Sequence, residues 1–189
     1  MIRTMTSSQA DRRPAGFTML ELLAAIGIIL ILAGLLLPVL SRVRSHARRA
    51  AARAEIKQIE TAWHQYLAEY QVWPAAFSND TVRAIADNVS RLLDGENIDN
   101  GNPRRIPFMH FTRYNTASNP ISPWGDRRTA ATNFYYCRLD TDYDEVIPGT
   151  GDALNPPADG LRRSVIVWTI NPDAPPSDPD NHIIGSWQP

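Results

Sequence analysis

The feature that most constrains this chain is an uncharged apolar run near its start. After Glu21 the next charged residue is Arg42, so residues 22–41 carry no charge. As a helix rising about 1.5 Å per residue, such a run spans a hydrocarbon core of about 30 Å. The run therefore predicts a transmembrane helix. A secretory signal peptide has an apolar region of only about 7 to 15 residues, followed by small residues at a cleavage site. Here the run is longer, and the small residues Ala15 and Gly16 precede it. Any processing would leave the apolar helix on the mature chain.

Glu21 lies at the start of this run between Leu20 and Leu22. A carboxylate within the membrane is costly, about 2.5 to 3.5 kcal/mol at a helix centre, and demands a partner. Its place near the helix start also permits it to snorkel to the headgroups. Arginines flank the run on both sides: Arg3, Arg12 and Arg13 before it, and Arg42, Arg44, Arg48, Arg49 and Arg53 after it. Charge alone therefore does not orient the helix.

Beyond the run the helical pattern continues. Residues 41–70 contain no Gly or Pro, and Ile56, Ile59, Trp63, Tyr66, Leu67 and Tyr70 recur at three- and four-residue steps. One helix of about fifty residues is predicted, with Gly34 or Pro38 as the place for any bend. Its second half needs something to cover. The later sequence supplies it in β-rich segments at 132–139, 164–170 and 182–187. A helix first and strands last, without βαβ alternation, predict an α+β fold with a small antiparallel sheet and long loops. The 189 residues leave room for one such domain and an appendage.

A second, short helix is expected over 79–95, with Asn79 or Asp80 as its N-cap, Val82, Ile85, Val89 and Leu92 as its stripe, and Gly95 as its stop. Residues 101–125 read as irregular but packed through Phe108, Phe111 and Trp124, and 140–160 as a long excursion between strands. The single cysteine, Cys137, excludes an internal disulfide and packs as a small hydrophobe.

The string Gly16-Phe17-Thr18-Met19-Leu20-Glu21, after a short basic leader and opening an apolar helix, resembles the class III signal of type IV pilins and type II secretion pseudopilins. The resemblance implies a pilin fold with three segments: a leader at 1–16, a transmembrane and assembly helix at 17–41, and a periplasmic head at 42–189. It implies cleavage between Gly16 and Phe17 by a prepilin peptidase, N-methylation of Phe17, and a single-pass protein of the bacterial inner membrane with its head in the periplasm. Cleavage creates an amine on Phe17, and in a staggered stack of helices that amine can meet Glu21 of a neighbour. Such a pair fixes register even where its net energy is small.

The C-terminal half is most similar to the G-type major pseudopilin. The match rests on Ser122-Pro123-Trp124-Gly125 and on the two final strands with the loop between them. In that family the loop binds calcium. Asp173, Asp178 and Asp180 are the oxygen donors available here for a calcium in the 171–183 loop. One departure is that His182-Ile183 stands where family members often place acids. The expected function is structural, not enzymatic. It would be a homo-oligomeric filament supporting protein export across the outer membrane, built with an inner-membrane assembly platform and minor pseudopilins. A type IV pilin, a minor pseudopilin and a membrane-tethered binding or enzymatic module are the alternatives left open.

The remaining constellations are weak. His46, His64, His110 and His182 lack the spacing of a zinc motif. Asp140, Asp142, Asp144 and Glu145 read as a solvated acidic turn. The arginines from Arg42 to Arg53 fit headgroups or acids of neighbouring subunits, and no nucleic-acid binding is expected.

Overall fold

A computed structural model describes residues 17–129, 133–149 and 160–188. The leader at 1–16, with Gly16, lies outside the described residues, as do Thr132 and residues 150–159 of the expected excursion. The chain forms two compact units that divide after Val43.

Helix α1 (Met19–Tyr70) runs for 52 residues and is unbroken across positions 34–38. In the first unit its apolar side chains are turned to the outside: Leu20, Leu23, Ile31 and Leu37 are all exposed. This part of α1 is long and apolar enough to cross a membrane.

The second unit opens with the rest of α1. Ile56, Ile59, Trp63 and Tyr66 are buried there, and Leu67 and Tyr70 pack at the edge of the same core. A 3₁₀ turn (Ala75–Asp80), strand β1 (Arg83–Ala84) and helix α2 (Asp87–Leu93) follow. Strands β2 (Tyr135–Leu139) and β3 (Val165–Ile170), a single turn α3 (Pro179–His182) and strand β4 (Ile183–Gly185) complete the unit. The sheet order is β1-β2-β3-β4, with every neighbouring pair antiparallel. The result is the α+β arrangement of a long helix and a small antiparallel sheet that the sequence predicts.

Side-chain alternation explains the core. Tyr135, Cys137 and Leu139 of β2 and Val165 and Val167 of β3 face the α1 side chains. Ile166 and Trp168 belong to a second cluster on the other side, with Ile147 and Ile183. Covered on both faces, β3 is apolar at nearly every position, as a doubly buried strand must be. Trp63 anchors the larger cluster through edge-to-face contacts with Tyr66, Trp73 and Phe77.

The expected helix over 79–95 is corrected. Its final turns exist as α2, but positions 79 and 80 end the 3₁₀ turn and do not cap α2. Ile85 N–H donates to the Tyr135 carbonyl at 2.7 Å, so this stretch extends the sheet edge instead of starting a helix. Extended Ala86 (φ −143°) and Asp87 at φ 43° make the turn into α2, and Asp87 N–H is held by Asn119 Oδ1 at 2.7 Å. The stripe residues Ile85 and Leu92 are buried all the same, because the pattern marks burial and not which element carries it.

Candidate functional site

The start of α1 carries the first candidate site. Thr18 precedes the helix, and its side chain and that of Glu21 bond each other's backbone. Thr18 N–H donates to Glu21 Oε2 at 3.0 Å, Glu21 N–H donates to Thr18 Oγ1 at 3.2 Å, and the Thr18 hydroxyl donates to Oε2 at 2.8 Å. This is a capping box, in which two otherwise unpaired N–H groups are satisfied reciprocally. An acid in the first turn also faces the positive end of the helix dipole. Phe17, the neighbouring residue, is exposed. Sequence reasoning named Phe17 and Glu21 but missed Thr18; the signal available was Thr-x-x-Glu ahead of an apolar run.

The second site is the loop between β3 and β4. Asp173 Oδ2 accepts from the Trp124 indole N–H at 2.8 Å and faces the Arg48 guanidinium at 3.7 Å. Asp178 Oδ2 accepts from the Asn181 side-chain amide at 2.8 Å, and Asp180 is exposed on α3. Asn171 Nδ2 bonds the Asn181 carbonyl at 2.8 Å, His182 Nδ1 meets the Ala174 carbonyl at 2.8 Å, and Arg49 reaches Asn181 Oδ1 at 3.1 Å. Protein donors thus cross-link this loop. Asp173 and Asp178 bond separate protein partners, and among the described residues their carboxylates do not meet in one cluster.

Among the described residues, the acids that do converge are Asp140, Asp142 and Asp144, whose carboxylate oxygens lie within 4.8 Å of one another. Asp142 and Asp144 are exposed, as a solvated turn requires, but Asp140 is buried. Burial, and after it the Asp142 carboxyl, push the Asp140 carboxyl above the usual carboxylate range.

A polar link ties α1 to the sheet. Glu55 of α1 accepts from the Tyr135 hydroxyl and pairs with Arg113. Burial and the Glu55 carboxylate both raise the Tyr135 phenol far above its ordinary value. Cys137 is wholly buried in β2, and burial pushes its thiol up in the same way.

The profile of the prokaryotic N-terminal methylation motif matches residues 11–37. The chain is also 25% identical to the type II secretion system core protein G of Pectobacterium carotovorum subsp. carotovorum. That similarity extends over 179 residues, 95% of this chain and 88% of the relative. No solved structure gives a significant match.

Proposed function

We propose that this pseudopilin-like chain is a structural subunit of a type II secretion pseudopilus, assembled by helix stacking after its leader is removed. One observation carries the reading: an exposed apolar helix segment opens on Phe17 with a capped Glu21, inside the stretch that the methylation motif matches. The similarity to core protein G over nearly the whole chain supports the same reading for the head.

In this proposal a prepilin peptidase cuts between Gly16 and Phe17, and Phe17 is N-methylated. The helix at 17–41 waits in the inner membrane with the head in the periplasm. Glu21, held by Thr18 in the lone subunit, presents its carboxylate to the Phe17 amine of an adjoining copy. In a low-dielectric setting an unpaired charge is strongly penalised, so the pair selects one axial register. An inner-membrane assembly platform and minor pseudopilins would build and cap the filament, and growth of the filament would support export. The chemistry is association, and no catalytic step is assigned to the head.

The test is to express the full chain with and without a prepilin peptidase and weigh the products. The expected product lacks residues 1–16 and carries a methyl group on Phe17. A chain left uncut by the peptidase would overturn the proposal.

A further inference from the structure

The acidic turn after β2 is built differently from a solvated loop. Asp140 is 2% exposed, and its two oxygens differ: Oδ2 accepts from Glu145 N–H at 3.0 Å, while Oδ1 is buried without a hydrogen-bond partner. An unpaired buried carboxylate oxygen is costly, and two further carboxylates close by add repulsion. Among the described residues, none of the three acids forms an ion pair, and neighbouring Arg138 directs Nη1 to the Pro148 carbonyl. The turn is also fixed to the fold, since Asp140 N–H donates to the Ser164 carbonyl at 3.0 Å and the Tyr143 hydroxyl accepts from Trp73 N–H at 3.0 Å.

We propose that Asp140, Asp142 and Asp144 bind a calcium ion, with the orphaned Asp140 Oδ1 as its buried ligand. The donor set is all oxygen and anionic, which selects a hard cation over zinc or copper. Calcium accepts irregular oxygen shells completed by water, whereas magnesium demands near-ideal octahedral geometry. Acids at alternate positions match the first three ligands of an EF-hand loop, and Glu145, at φ 63°, stands where that loop turns on a glycine. An EF-hand adds a bidentate glutamate at its twelfth position, whereas the cluster here consists of three aspartates. The site is therefore weak, with a Kd on the order of 10⁻⁴ to 10⁻³ M, as in extracellular calcium modules. This inference does not depend on filament assembly, and it concerns a site other than the 171–183 loop.

The test is calorimetric titration of CaCl₂ into the full chain in detergent micelles after chelation. One ion per chain is expected, and its affinity should fall about 10-fold or more in Asp142→Asn, which removes one anionic ligand. Asp142 is exposed, so this variant should keep the wild-type near-ultraviolet spectrum of the aromatic core. Asp178→Asn, in the other acidic loop, should bind like wild type. No binding up to about 10 mM calcium, ten times the weakest expected Kd, would overturn the proposal. So would binding that survives in Asp142→Asn but is lost in Asp178→Asn.

Discussion

Thr18 and Glu21 cap helix α1 by bonding each other's backbone N–H groups. Glu21 therefore has two separable properties, an oxygen that caps and a charge that can pair between subunits. Glu21→Gln keeps an acceptor able to cap but removes the charge. We expect Glu21→Gln and Glu21→Ala both to insert and be processed, and both to yield few or no sheared filaments. Normal filaments from Glu21→Gln would show that capping alone is what the residue supplies. Thr18→Val should cost about 0.5 to 2 kcal/mol of helix-start stability while leaving the charge in place, and filament yield should fall less than in Glu21→Ala.

Gly185 is required by Trp187. A Cβ at position 185 would lie 2.3 Å from the Trp187 ring, which in turn packs edge-to-face on Trp168 at 6.3 Å. Gly185→Ala must displace the ring and is expected to destabilise the head by about 1 to 3 kcal/mol, the usual cost of overpacking a core. A denaturant melt followed by tryptophan fluorescence would measure it. An unchanged midpoint would mean that the ring moves aside freely.

Two buried phenols predict how the head responds to alkali. Burial raises the Tyr66 phenol to about 12, and its hydroxyl donates to the Gly101 carbonyl at 2.5 Å; Tyr135 is raised further beside Glu55. In the unfolded chain both lose their protons near pH 10. The folded state thus holds these protons more tightly. The associated stability is complete below about pH 10 and is lost as pH rises from there through the folded value of Tyr66. Absorbance titration at alkaline pH should show at least two phenols ionising late, together with unfolding. Ionisation of all six tyrosines near pH 10 with the fold intact would contradict this.

The Cys137 thiol should be inert. It is fully buried in β2, and burial disfavours the thiolate that reacts with alkylating agents. Iodoacetamide should leave the native mass unchanged at neutral pH and add one carbamidomethyl group after denaturation. Rapid labelling of the native chain would show that β2 opens readily.

Local pattern was enough for the apolar helix, its amphipathic continuation and the two central strands. Each is long and periodic, and the residues that make Ile56, Trp63 and Val167 core positions lie within a few positions of one another. The short elements were less legible. Val82, Ile85, Val89 and Leu92 suit a helix by spacing, but the edge of β2 offered Ile85 a backbone hydrogen bond, and sheet pairing took the first part of the stretch.

Adjacent residues alone dictate the membrane-length helix, the Thr-x-x-Glu cap at its start and the α+β order of the elements, because these are local properties of the chain. Only the tertiary structure decided which acids meet. Asp173 is drawn to Trp124, 49 positions away, while Asp140 is buried at the end of a strand with one oxygen unpaired. Both loops read alike as strings of aspartates and prolines, and what separates them is the set of donors that folding brings to each carboxylate.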